Sequence, residues 1–355
     1  MNQAGRVQRH SILLLTCVLY YLGTGGCDRS PTDPEPPDPT DYIAYFADVN
    51  SDNWVFGYHI LSGQLDSFQV PALPTPRTPS LGVPEPRMVV SPGGESIYLA
   101  LEDSVLAVEI ANPQQVEVLP YAAEFGVSVS PNGQYLAVLN REGLNILSTD
   151  GYSLLFHDTD RVLFGGFSAD SRVFLASHWP DYAYRLQIEG GFNVQRRVCT
   201  PWRLGQVIPS PDDSQWYLLT AHAECDAAVE VYDVNADSVI HRSVFAGYGE
   251  IELLPNGRYI PYTHPGELVG VCGGGGSSFS VYDITTNEVH PVDVVHEGGV
   301  QYHAMRDVEV TPDDTWIVLS AGGLVAVVNA NTFELSNHVL LEGKNVNYLT
   351  IQNSP

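Results

Sequence analysis

The chain has 355 residues, 44% of them hydrophobic, and its 16 Lys+Arg against 42 Asp+Glu give a formal net charge of −26. That length and apolar share allow one large domain or two ordinary ones with a full core. The charge argues against a nucleic-acid binder, which needs a basic footprint to neutralise phosphates; 32 glycines and 25 prolines argue against a helical bundle, and five cysteines are too few for a disulfide-stapled miniprotein.

In chain order, residues 1–26 are expected to be an export signal. Arg6 and Arg9 form a positive start, and no acid precedes Asp28. The apolar run SILLLTCVLYYL (11–22) has signal length and is too short to span a bilayer. Thr24-Gly25-Gly26-Cys27 is similar to the lipobox of bacterial lipoproteins. That resemblance implies cleavage before Cys27, diacylation of its sulfur and acylation of the new amino terminus. Several acyl chains anchor stably, since each buried CH₂ contributes about 0.8 kcal/mol. Cleavage removes Arg6 and Arg9 and no acid, so −26 becomes −28. Residues 27–41 then read as the lipidated cysteine and a tether. The prolines and acids of DRSPTDPEPPDPTD (28–41) favour extended polyproline II over a core.

From residue 42 to 355 a repeat dominates. SPGGESIYLAL (91–101), SPNGQYLAVLN (130–140), SADSRVFLASH (168–178), SPDDSQWYLLTAH (210–222), LPNGRYIPYTH (254–264) and TPDDTWIVLSAG (311–322) each join a β-turn signal to an alternating run. Their starts lie 39, 38, 42, 44 and 57 residues apart. Seven strand–turn–strand hairpins interleave with them, at 55–70, 105–119, 144–156, 184–198, 229–244, 279–294 and 325–341. Four short antiparallel strands per unit of 40–50 residues predict an all-β, seven-bladed β-propeller. The globular part begins with YIAYFADV (42–49), a second strand without a first, and ends with NYLTIQNSP (347–355), a first strand without a second. The C-terminal strand is therefore expected to complete the N-terminal blade, closing the ring without an open edge. VYDITTNEV (281–289) and SPNGQYLAV (130–138) resemble the YVTN-type, lactonase-like bacterial propellers. Those propellers host binding proteins, lactonases and cofactor-bearing subunits, so the resemblance implies a fold and not one function.

Meander topology puts the Ser-Pro turns and hairpin turns on one face. The long, irregular connections fall on the other, where function is usually placed. Six histidines crowd that second face: His157, His178, His222, His264, His296 and His303. His178, His222, His264 and His303 are the candidate metal ligands, converging from separate blades; hydrogen-bonded rim residues are the competing reading. Cys199, Cys225 and Cys272 lie there as well, with Cys199–Cys225 the first-choice disulfide and Cys225–Cys272 the alternative. Trp179, Tyr182, Trp202 and Tyr302 are candidate contacts for a protein or glycan, or else pack over the blade tops.

Other patterns are incomplete. Cys272-Gly-Gly-Gly-Gly-Ser-Ser lacks the Gly-Lys-Ser/Thr ending of a phosphate loop. Asp48-Val-Asn50-Ser-Asp52 and Asp233-Val-Asn235-Ala-Asp237 start like calcium loops but lack the glycine and glutamate that follow. No GxSxG or HExxH is present. The sequence requires no cofactor. The leading expectation is a monomeric, lipid-anchored cell-envelope propeller, facing periplasm or exterior, that binds an envelope protein or polymer. It touches the membrane through its anchor alone and binds no nucleic acid. The alternative is a lactonase-like or metal-dependent enzyme, or a redox accessory, with its site at the axial opening.

Overall fold

A computed structural model describes residues 41–48, 53–73, 87–178, 182–199, 203–221, 226–246, 257–265, 277–292, 305–321, 323–341 and 346–353. The signal, Cys27 and the tether lie outside these residues. The protein is an all-β, seven-bladed β-propeller of antiparallel blades. Blades 2 to 7 follow one another at 88–119, 126–158, 162–199, 203–246, 259–292 and 305–340. Six blades show four strands; blade 6 shows three, and residues 247–256, ahead of its first described strand, lie outside the described residues.

Blade 1 joins the two ends of the domain, as the repeat predicts. Val346–Asn353 is its innermost strand and pairs antiparallel with Tyr42–Asp48, Asn353 opposite Tyr42. Trp54–His59 and Leu65–Gln69 complete it. The closing strand is also tied sideways. Val90 N–H donates to Thr350 Oγ1 at 3.3 Å from blade 2, and Leu349 N–H donates to Asp307 Oδ2 at 2.6 Å in blade 7.

The six turns that open the second strands explain the regular face. Call the first residue of the turn position 1. In blades 3, 4, 5 and 7 the hydroxyl of Ser130, Ser168, Ser210 or Thr311 donates to the Asn132, Asp170, Asp212 or Asp313 side chain at position 3, at 2.7–2.8 Å. The same hydroxyl accepts from the N–H at position 6, at 2.9–3.1 Å. The position 3 side chain accepts the N–H at position 5, at 3.0 Å. One buried hydroxyl and one short acceptor thus satisfy donors that the turn takes out of the ladder.

Position 4 of this turn always has a left-handed backbone. It is glycine in three turns (Gly94, Gly133, Gly257), and Ser171, Asp213 and Asp314 in the others, with Asp314 at φ 61°. A non-glycine residue there costs of order 1 kcal/mol. Asp213 offsets the cost: its Oδ2 accepts Arg185 Nε and Nη2 of blade 4 at 3.0 and 2.6 Å. Burial, and then its neighbour Asp313, raise the Asp314 carboxyl to about 6. A carboxyl raised on folding is destabilising above that pH, and the penalty fades as pH falls toward its ordinary value near 4. Asp314→Gly is therefore expected to stabilise the domain by about 1–2 kcal/mol at pH 7.5, solvent screening included. The gain shrinks at pH 5. Asp213→Gly is expected to destabilise. Urea midpoints at the two pH values check both signs.

The core lies between blades, not within one sheet. One apolar cluster packs Val173, Leu175, Ala183 and Val198 of blade 4 on Trp216, Leu218 and Tyr232 of blade 5, and others fill the remaining gaps. Middle strands are covered on both sides, which is why Tyr135–Asn140 and Gly143–Ser148 read as almost continuous apolar runs. Outer strands alternate and leave Leu154, Val239 and Ile240 exposed. In blades 3, 4, 5 and 7 the outer strand shifts register just after its hairpin, leaving one residue extra. Such bulges twist a free edge away from further pairing.

Candidate functional site

The irregular ends of the blades carry most of the candidate residues, and blade 4 is where their side chains are best described. Its strands line up there as a row: Val162 pairs with His178, His178 with Tyr182, and Tyr182 with Cys199. The His178 and Tyr182 rings stack at 4.2 Å between centroids, 15° apart. The Tyr182 hydroxyl donates to Asp160 Oδ2 at 2.5 Å. Arg197 Nη2 donates to the same oxygen at 3.2 Å, and its guanidinium lies 5.1 Å from the Tyr182 ring centre. Burial first, and then the Asp160 carboxylate, hold the Tyr182 phenol well above its usual range. It stays neutral and donating at physiological pH.

A second arginine sits next to this group. Arg161 directly precedes Val162, is exposed, and places its guanidinium 5.2 Å from the centre of the Phe125 ring. Phe125 is buried at the head of blade 3. Burial and then Asp158 raise the Tyr184 phenol as well, behind Tyr182 in the same strand.

Of the aromatic candidates, Tyr182 belongs to this cluster as a support, its ring engaged by His178 and Arg197. Trp179, Trp202 and Tyr302 lie outside the described residues. Among the metal candidates, His178 closes the second strand of blade 4. His264 holds the matching place in blade 6, opposite Ser278, where the description covers its backbone only. His222 and His303 lie outside the described residues, as does His296. His157 is a rim residue whose Nδ1 lies 2.9 Å from Asn145 Oδ1. No group of three or more His, Cys, Asp or Glu able to hold a metal occurs among the described residues. Cys199 is exposed at the end of Asn193–Cys199; Cys225 and Cys272 lie outside the described residues. Asp233 is an Asx turn, its Oδ1 accepting Asn235 N–H and Ala236 N–H at 2.8 and 2.7 Å.

Sequence reasoning passed over Asp160, Arg161 and Arg197. A running charge count would have found the arginines: residues 161–203 hold six arginines against three acids.

No family model matches the chain, and no curated protein matches it. Solved structures do. A 6-phosphogluconolactonase-like protein of Bacteroides uniformis is similar at 15% identity and TM-score 0.58, over 86% of this chain and 98% of that one. The dihydro-heme d1 dehydrogenase NirN is similar at 16% identity and TM-score 0.57, over 89% of this chain and 67% of that one. The β-propeller domain of Myceliophthora thermophila Swd1 is similar at 10% identity and TM-score 0.57, over 78% and 91%. At such identities the likeness is one of fold, and two of the three neighbours are enzyme-associated.

Proposed function

We propose that the protein is a lipid-anchored propeller of the bacterial cell envelope that binds an envelope protein or polymer through its irregular face. Residues 1–26 direct export, Cys27 carries the lipid, and the acidic proline-rich segment to residue 41 spaces the domain from the membrane. The observation that carries the binding role is the contrast between the two blade ends. One end repeats the same turn, a hydroxyl donating to an Asn or Asp side-chain oxygen, in blades 3, 4, 5 and 7. At the other, blade 4 gathers His178, Tyr182, Asp160 and Arg197 in an arrangement that no other blade shows among the described residues. Non-repeating chemistry on a repeating scaffold is where recognition is built.

The test uses intact cells. A photoreactive residue replaces Arg141 on the irregular end of blade 3, or Asn112 on the regular end of blade 2. A discrete crosslinked adduct from 141 and none from 112 is the expected result; adducts from 112 alone, or from neither, refute the face. In parallel, Cys27→Ser is expected to lose palmitate labelling and leave the detergent phase. Retained labelling refutes the anchor.

A second reading is a lactonase-like or metal-dependent enzyme with its site at the axial opening. Its support is the fold shared with the lactonase-like and NirN proteins and the matching positions of His178 and His264 at their strand ends. Elemental analysis of full-length protein prepared without chelator tests it. A stoichiometric transition metal lost in His178→Ala/His264→Ala, together with hydrolysis of 6-phosphogluconolactone, favours the enzyme over the binding module.

A further inference from the structure

The charge of this chain is unevenly placed. Residues 161–203, which contain blade 4, carry six arginines against three acids, a net of +3, so the rest of the chain carries −29. Two of those arginines are already spent. Arg185 is paired with Asp213, and Arg172 with Glu189 at 3.1 Å and Asp170 at 3.8 Å. Arg161 makes no ion pair among the described residues, and Arg197 pairs with Asp160 at 3.2 Å while its side chain stays 55% exposed. Both lie at the irregular end, both are exposed, and each is laid against an aromatic ring.

We propose that the irregular end of blade 4 is an oxyanion site, taking a multiply charged anion with carboxylate or phosphate groups on the guanidinium edges of Arg161 and Arg197. It rests on the binding-face reading above and names the chemistry of its ligand. A guanidinium is planar, and its N–H donors point outward in the plane. Stacking on a ring uses the face and leaves the edge for a two-pronged contact with carboxylate or phosphate. The rings themselves are held. Phe125 is packed in the core, and Tyr182 is fixed by His178 and by its hydrogen bond to Asp160. The ordering cost that long arginines impose on an anion site is thus largely met before the ligand arrives.

Among the described residues Arg197 makes one hydrogen bond, to Asp160, and Arg161 makes no ion pair. Asp160 is satisfied by the Tyr182 hydroxyl independently of Arg197. An incoming oxyanion can therefore compete for Arg197 without stranding a buried charge. Asp158 and Asp160 are carboxylates close to Tyr182, and Asp160 sets the direction of one diagnostic variant.

Calorimetry on the detergent-solubilised full chain uses two probes, pyrophosphate and trigalacturonate. At least one is expected to bind saturably, and which one binds identifies the oxyanion source. Arg161→Ala/Arg197→Ala is expected to weaken binding at least tenfold, and Arg172→Ala to leave it unchanged. Asp160→Asn keeps an acceptor for Tyr182 and removes a competing charge, so it is expected to tighten binding a few-fold; a merely structural Asp160 predicts no gain. If the double alanine variant does not fold, Arg161→Lys/Arg197→Lys replaces it, with weakened binding expected because an ammonium lacks the planar fork. No binding of either probe, or undiminished binding in the arginine variants, overturns the proposal. An adduct from position 141 that neither anion displaces overturns the oxyanion assignment while leaving the binding face intact. Anion binding without any adduct does the reverse.

Discussion

Deleting residues 346–355 is expected to abolish the cooperative fold, and moving them is expected to restore it. Val346–Asn353 is the innermost strand of blade 1, and through the Thr350 and Asp307 bonds it also joins blades 2 and 7. Val346 and Leu349 are buried side chains, each contributing about 1.5–3 kcal/mol, and the ladder bonds add about 1 kcal/mol each. The loss is comparable to the whole stability of a domain, about 5–15 kcal/mol. It also exposes the edge of Tyr42–Asp48, an apolar strand buried on both sides, which invites aggregation. The informative control is a permuted chain in which residues 346–355 precede residue 40 through a short Gly-Ser linker. Asn353 lies opposite Tyr42, so the linker needs little length. Gel filtration and thermal unfolding should give an aggregated or unfolded truncation and a monomeric permutant with a near-native midpoint. A folded, monomeric truncation would mean that the ring does not depend on its closing strand.

Asp283→Ala is expected to be the most damaging single substitution among the hairpin turns, at about 2–4 kcal/mol. The Asp283 carboxylate is buried and serves four groups from two elements. Its Oδ1 accepts Thr285 N–H at 2.8 Å, Thr285 Oγ1–H at 2.7 Å and Thr286 N–H at 3.3 Å; its Oδ2 accepts Arg258 at 2.7 Å. Burial works against the charge, but Arg258 and the turn donors outweigh it and hold the carboxyl well below the usual range. The sign follows. A carboxyl depressed on folding contributes stability above its unfolded value near 4, and that stability is lost as pH falls through the lower folded value. Wild-type protein should therefore lose stability below about pH 4 more steeply than Asp283→Asn, which cannot titrate. Urea unfolding at pH 7 and pH 3 measures both. Equal costs at the two pH values would show that the charge itself contributes nothing.

Much of this architecture is legible without coordinates, for a local reason. A Ser-Pro-Asp/Asn-Gly turn carries its own hydrogen-bond donors and acceptors within six residues, so Ser130, Asn132 and Gly133 announce the bend before any tertiary contact exists. Middle strands covered on both sides must be apolar throughout, and outer strands must alternate; both patterns survive in one dimension. The unmatched halves YIAYFADV and NYLTIQNSP even predicted the closure that Asn353 and Tyr42 make.

The site was legible only in part. His178 and Tyr182 stood out as residue types, but their stacking came from pairing across a strand turn, and Asp160 and Arg197 reached the same ring from 22 residues before it and 15 after. The outer-strand bulges were equally invisible, because one extra residue changes register without changing composition. The sequence by itself determined the repeat, the blade count, the closing strand and the uneven charge, since each is written in neighbouring residues or in sums over them. Only the tertiary structure decided which acid each arginine meets, as Arg185 meets Asp213 and Arg172 meets Glu189, and which arginines lie against rings, as Arg161 and Arg197 do. Partner choice among like residues depends on distances across blades, and no local pattern encodes those distances.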